Sequence, residues 1–528
     1  MEKIEISTNV SVSLSYIPPK GSLSLNLIAN LFNLSLSIIL GIVIVPYLIR
    51  KLGIESYGLI PLTNYFIQYL SLASLAINSA VGRYLAIALE RNEHLKANSI
   101  FNTAFKANLA IATVLGLLCI PIIVYLDKIV SFPPGMQFQA QYLFSCGFIS
   151  FFIGLVFSTF GVSGWCRNRF DLINAVNILR QGVYLSLVLF LLSYYRSDLV
   201  SIGNALVISA FFAALANYFL SRFLLPNLKI RSGYFDWSVL KTLFSSSSWI
   251  TINLLGSILY LRIDLVIINK VFGPIANGEY ASVLQWSTVL RMLGSAISSV
   301  FGPPFAFLYA KNQGEELLQY ARKTIRYFGL ILALPIGLIC GFSKPLLTLW
   351  LGPEFAKLSS LLILLTIHLC INIAVYPLFE LQTSMLKVKL PGLVTFIMGI
   401  ANFLLALLLA THTNLGIYGV ALAGAIMLTL KNFFFTPIYG ALILGKPWYI
   451  FYKDLFATII ATTGVFIIAK VWQDLLLLSS WVNLVTASSV IGLLYIAVLW
   501  IFMPSDDKIL FQEKFSYFAK RARANVRK

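Results

Sequence analysis

Leu259-Tyr260-Leu261-Arg262-Ile263-Asp264-Leu265-Val266-Ile267-Ile268-Asn269-Lys270, continuing into Val271-Phe272-Gly273-Pro274-Ile275-Ala276-Asn277-Gly278-Glu279-Tyr280, decides how the chain is read. It begins as an apolar helical run with an Arg and an Asp in its interior and ends in a short Gly/Pro turn. Ionisable groups within a bilayer are costly and face a polar cavity or a partner. The stretch implies a membrane protein with a wet, charged interior.

Composition agrees. The 528 residues are 59% hydrophobic and only 11% charged, with mean hydropathy +0.86, whereas a soluble domain averages about 25% charged. The fold class is an all-α polytopic membrane protein. The net charge of +19 fits basic cytoplasmic loops, and no segment is long enough to be a basic nucleic-acid-binding domain. The five cysteines form no Cys-x-x-Cys pair and read as small apolar packing residues. The three histidines are scattered, so no metal-ligand spacing is present.

A crossing helix needs roughly 20 apolar residues, and the runs supply about fourteen. They lie near 23–49, 58–89, 99–126, 140–165, 170–195, 198–223, 243–269, 279–309, 325–350, 358–384, 391–411, 417–443, 453–473 and 480–503. The first run is too long for a signal-peptide core and reads as a spanning helix. With the N-terminus in the cytoplasm, inner segments hold about 25 Lys/Arg and outer loops about 8, which places both termini inside. Most tryptophans sit near run ends, where an amphipathic ring prefers the interface.

This gives a cytoplasmic N-terminal tail (1–22), an N-lobe of helices 1–6 (23–223), a cytoplasmic linker (224–242) and a C-lobe of helices 7–12 (243–443). Helices 13–14 (453–503) and a basic cytoplasmic tail (504–528) follow. An even count per half makes a duplication parallel about the membrane normal. A short echo supports one: Arg50-Lys51-Leu52-Gly53-Ile54-Glu55-Ser56-Tyr57-Gly58 and Asn269 to Tyr280 both run from a basic residue through Gly to a Glu/Tyr/Gly cluster. In the tail, Phe511, Phe515, Phe518 and Ala522 recur at helical intervals among Lys and Arg, as in a helix lying on an anionic leaflet.

Six basic residues remain well inside the runs: Arg83, Lys106 and Arg180 in the first half, Arg262, Arg291 and Lys431 in the second. Snorkelling or structural pairing is the alternative for each. Together, drawn from both halves, they would form a cationic chamber between the bundles. Such a chamber suits an anion, and the planar fork of Arg suits phosphate. Asp264 and Glu380 are the acidic counterparts and the candidates for coupling H⁺ or Na⁺. Arg262 and Asp264 point about 200° apart on a helix, so they do not pair face to face.

Gly440 to Pro447 mimics a P-loop, but Pro stands where the motif needs Ser or Thr. Gly337-x-x-x-Gly341 permits close helix packing. No soluble catalytic domain has room, which argues for a transporter and against an enzyme.

Pro46-Tyr47-Leu48-Ile49-Arg50 through Gly58 resembles the first-loop signature of the bacterial polysaccharide flippases, the Wzx-type O-antigen transporters of the multidrug/oligosaccharidyl-lipid/polysaccharide exporter superfamily. Tyr260-Leu261-Arg262-Ile263-Asp264 through Tyr280 is similar to its seventh-helix pattern, and Leu349-Trp350-Leu351-Gly352-Pro353-Glu354-Phe355 to its loop after the ninth helix. The resemblance implies two six-helix lobes in a V with two extra C-terminal helices. It implies an undecaprenyl-pyrophosphate-linked glycan as cargo, alternating access in the bacterial inner membrane, and a polysaccharide polymerase and glycosyltransferases as partners. Arg83, Arg262 and Arg291 fall on helices suited to lining the cavity. A cation-coupled multidrug or metabolite exporter of the same superfamily is the alternative, and a glycan polymerase or ligase is a third reading that the short outer loops disfavour.

Overall fold

Helices follow the apolar runs because a chain in lipid must satisfy its own backbone hydrogen bonds. The computed structural model describes residues 20–245, 248–476, 478–505 and 507–508, so the amphipathic tail from Phe511 lies outside the described residues. Eleven helices among the described residues are long and apolar enough to cross a membrane. Ile54–Glu90 and the two arms of Ser248–Ser298, which flank a break at Gly273, cover the remaining expected spans. The chain is a multi-pass membrane protein.

Contacts divide it into two compact units, Met1–Leu255 and Gly256–Lys528. The first contains α1 (Lys20–Leu52), α2 (Ile54–Glu90), α3 (His94–Val124), α4 (Gln137–Cys166), α5 (Phe170–Tyr194) and α6 (Leu199–Leu224). The second contains most of α7 (Ser248–Ser298), then α8 (Gly314–Gly341), α9 (Pro353–Asn372), α10 (Lys389–His412), α11 (Ile417–Ile443), α12 (Tyr452–Leu475) and α13 (Trp481–Phe502).

The units repeat local devices. Gly53 (φ 81°, ψ 159°) and Gly273 (φ 85°, ψ −177°) share a backbone region open essentially to glycine alone. Each reverses the chain between long helices. Asn92 and Asn312 (φ 57° and 56°) then end α2 and the helix before α8 in the left-handed conformation. Glu93 N bonds Ala88 O at 2.9 Å and Asn92 N bonds Leu89 O at 3.0 Å. Gln313 N bonds Leu308 O at 3.1 Å and Asn312 N bonds Tyr309 O at 3.0 Å. Both are the same two-bond helix stop, with Arg91 or Lys311 at the C-cap.

The linker is pinned to the first unit by α3. Asn98 Oδ1 accepts from Lys229 N at 2.7 Å, Asn102 Nδ2 donates to Lys229 O at 2.7 Å, and Asn102 Oδ1 accepts from Arg231 N at 2.9 Å. Two amides one turn apart thus hold the linker backbone at Lys229 and Arg231. In the second unit α8 and α12 pack through small residues: a Cβ on Gly337 would stand 2.7 Å from Val465, and one on Gly341 would meet Ala469. Close packing of this kind replaces the hydrophobic drive that lipid cannot supply.

Candidate functional site

The site grows from the reversal at Gly273. Sixteen residues of continuous helix would place Asp264 and Tyr280 about 24 Å apart. Instead the Tyr280 hydroxyl donates to Asp264 Oδ2 at 2.9 Å, so the two arms of α7 fold back as a helical hairpin. Tyr280 is fully buried and Asp264 nearly so, at 7% exposure. Burying a carboxylate requires donors or an opposite charge nearby, and the hairpin delivers the first.

Around Asp264 the second unit encloses a cavity of about 40 Å³, lined also by Ser287, Thr288, Arg291, His368 and Gly424. That is room for about two or three waters or a small cation. The Ser287 hydroxyl is buried with no protein hydrogen-bond partner among the described residues, and a water held in the cavity would satisfy it. A Cβ on Gly424 would lie 3.6 Å from Asp264 Oδ2 and 3.9 Å from Asn402 Oδ1, so α11 presents a bare backbone between these two oxygens.

From the cavity a polar chain continues inward. His368 Nδ1 lies 2.8 Å from Asn372 Nδ2. Asn432 Nδ2 donates to Asn372 Oδ1 at 2.9 Å, and the Thr436 hydroxyl reaches Asn432 Oδ1 at 3.3 Å. Asn432 sits in a π-helical segment, Leu430–Phe435, inside α11. Such bulges are frequent at functional sites because they re-aim side chains.

The expected site residues therefore divide. Asp264 and Arg291 come together in one cavity. Lys431 lies on the π-helical segment, 7% exposed, with its ammonium 4.9 Å from the centre of the Phe379 ring. Glu380, next to Phe379, is half-buried and approaches Gly302, where a Cβ would come 3.1 Å from its Oε2. Arg262 lies on the first arm of α7, and its side chain is outside the described residues.

In the first unit Arg83 is exposed and lies over its neighbour Tyr84 at 5.0 Å. Arg180 is exposed on α5. Lys106 reaches the Phe235 ring of the linker at 5.6 Å, which ties it to the pinned linker.

Charge counting passed over a ladder of neutral amides between α1 and α5. Asn26 Nδ2 donates to Asn168 O at 2.9 Å, Asn174 Nδ2 to Asn30 Oδ1 at 2.7 Å, Asn33 Nδ2 to Asn174 Oδ1 at 3.0 Å and Gln181 Nε2 to Asn33 Oδ1 at 3.0 Å. Ser37 closes it on Gln181 at 3.1 Å. The signal was present: residues 26, 30, 33 and 37 recur at helical spacing on one face of an apolar run. His368 and its asparagine chain were likewise passed over, because a single histidine in an apolar run carries no pattern.

The family model described as "Polysaccharide biosynthesis protein" matches residues 26–308. The chain belongs to this family. The matched region includes the amide ladder, the hairpin, Asp264 and Arg291. A curated relative, the "Uncharacterized membrane protein EpsK" of Bacillus subtilis (strain 168), is 30% identical over 472 residues, covering 89% of this chain and 94% of the relative. Two solved structures share the fold. "Lipid II flippase MurJ, inward closed conformation" aligns with TM-score 0.64 and 14% identity over 90% of this chain and 99% of that one. An inward-facing multidrug resistance MATE family transporter of the MOP superfamily aligns with TM-score 0.60 and 15% identity over 80% and 97%.

Proposed function

We propose that this member of the polysaccharide biosynthesis family is a flippase. Its cargo is an undecaprenyl-pyrophosphate-linked oligosaccharide, carried across the bacterial inner membrane for O-antigen, capsule or exopolysaccharide assembly. The observation that carries the reading is the buried, polar Asp264–Arg291 cavity inside membrane helices of a family named for polysaccharide biosynthesis. The shared fold with a lipid II flippase and the basic bias of the loops expected to be cytoplasmic support it.

A sugar head cannot cross lipid, because its hydroxyls would lose their hydrogen-bond partners. A hydrated path through the protein shields the head while the polyprenyl tail stays in lipid. In this reading Arg83, Arg180, Arg262, Arg291 and Lys431 offer positive charge to the pyrophosphate, and Lys106 contributes where the linker leaves it accessible. Carrying about two negative charges outward across an inside-negative membrane gains roughly 4–5 kcal/mol per 100 mV. That is enough to bias the direction of an alternating-access cycle. Asp264 is the coupling group: the cavity offers a carboxylate and the Ser287 hydroxyl to H⁺ or a small hard cation, and Arg291 competes with that cation. Glu380 is the second candidate. Cargo arrival near Arg291 would then weaken its hold on the cavity and open Asp264 to the cation.

Transport of a fluorescent lipid-linked glycan in proteoliposomes tests this. Arg262→Gln with Arg291→Gln should abolish transport while the protein remains monodisperse with an unchanged melting temperature; full transport in that variant would end the assignment. The fold shared with a multidrug transporter favours a second reading, a cation-coupled multidrug or metabolite exporter. Restored drug resistance in an exporter-deficient strain, with no glycan transport, would decide for it.

A further inference from the structure

Helices α8, α12 and α13 enclose a groove of about 720 Å³ in the second unit, away from the Asp264 cavity. Ile460, Ile468, Leu494 and Val498 form its walls, and the small residues Ala461 and Gly464 widen it. Ile460 and Leu494 are strongly exposed, so the groove opens outward to the bilayer. One end carries the two cations that line it among the described residues, Arg326 and Lys453. Arg326 is committed to Asp454 at 2.8 Å. Lys453 is exposed and has no acidic partner within salt-bridge distance among the described residues.

From Lys453 to Ile468 the groove follows fifteen residues of α12, about 22 Å. Half of a bilayer, counted with its headgroup layer, is about 20–22 Å deep. The groove therefore matches one leaflet, with its cation at headgroup level and its apolar end near the midplane. We propose that it binds a diacyl phospholipid with an anionic head, the phosphate on Lys453 and one acyl chain along Ala461 and Gly464. Charge and length select this occupant. The chain's own segment 509–528 follows at the same end but carries six Lys/Arg, and like charge is disfavoured at a basic mouth. A polyprenyl chain longer than a leaflet would overrun the groove.

Native mass spectrometry of the full-length protein, titrated with phosphatidylglycerol or phosphatidylcholine of identical acyl chains, tests the site. The wild type should retain one phosphatidylglycerol with about fivefold preference, the scale of one lysine at an anionic leaflet. Lys453→Gln should remove the preference. Gly464→Phe should remove retention of both lipids, since a Cβ there meets nothing within 4 Å and the ring can fill the groove without disturbing the helix. Ala461→Leu serves as the plug if that variant is not monodisperse. Equal retention of both lipids by the wild type, or unchanged phosphatidylglycerol retention in both variants, overturns the proposal. So does a rise in retention after deletion of 509–528, which would show the tail occupying the groove.

Discussion

Replacing Asn102 with Leu should free the linker from the first unit. Asn102 is fully buried and makes two hydrogen bonds to linker backbone, at 2.7 Å to Lys229 O and 2.9 Å from Arg231 N. Leu keeps the volume and removes both. Lys229 and Arg231 are exposed, so water takes up the released backbone groups, and the loss is the net worth of two neutral bonds, about 1–3 kcal/mol. That raises the undocked population about five- to a hundredfold. Both linker residues are trypsin sites, and cleavage tracks the open population when opening and closing are fast. Limited trypsinolysis at Lys229 and Arg231 should therefore accelerate about five- to a hundredfold, with tryptic cutting elsewhere unchanged. An unchanged rate would refute the docking argument. Lys106→Gln refines it: if Lys106 serves mainly to hold Phe235, linker cleavage rises and glycan transport persists. If transport stops while the linker stays protected, Lys106 belongs to the cargo path.

Three further outcomes are expected. Gly273→Ala, with no neighbour for the added Cβ, should cost only backbone strain, about 1–3 kcal/mol; an unchanged melting temperature would contradict the hairpin geometry. Tyr280→Phe removes a hydrogen bond to a buried carboxylate, worth about 1.5–3 kcal/mol. In proteoliposomes the half-saturating concentration of the driving cation should shift about tenfold or more at unchanged reconstitution, and no shift would remove Asp264 from the coupling role. Burial pushes the Asp507 carboxyl up, but hydrogen bonds from Lys323 and Tyr327 outweigh it and hold the group below its ordinary value. Its contribution is therefore complete above about pH 4 and lost as pH falls through the depressed folded value. Hydrogen exchange at Met503–Lys508 should rise only in that acidic window, and Asp507→Asn should show the raised exchange at pH 7.

How much of this could be read from the chain depends on whether the signal lies along one helix or between two. The all-α membrane class was legible because hydropathy is a property of one run at a time. The turn at Gly53 was legible as an echo of Gly273, and the structure adds that both glycines hold nearly the same backbone angles. The paired stops at Asn92 and Asn312 were not, because a left-handed asparagine has no unique neighbours. The linker was visible as a polar gap, but its docking on Asn98 and Asn102 pairs residues more than 120 positions apart. The ladder of α1 and α5 likewise joins residues more than 140 positions apart. Four neutral amides and hydroxyls barely lower the hydropathy of a 33-residue helix, so the run announces itself as lipid-facing while one stripe of it is polar.

The six intramembrane cations show the same limit from the other side. In sequence they are equivalent. Their surroundings separate them by what balances the charge. Arg83 and Lys106 rest against aromatic rings, Tyr84 on the same helix and Phe235 of the linker. Lys431 is buried on a π-helical segment with its ammonium against the Phe379 ring. Arg291 shares a cavity with the Asp264 carboxylate, and that cavity is also lined by His368 and by Ser287, whose hydroxyl has no hydrogen-bond partner among the described residues. The guanidinium and the carboxylate line one small polar space. An anion drawn to Arg291 and a cation drawn to Asp264 would each change the other's affinity by the same factor. Under the proposed function, coupling of cargo to a driving ion needs that relation, and Asp264 and Arg291 lie on the two arms of a single hairpin turned at Gly273.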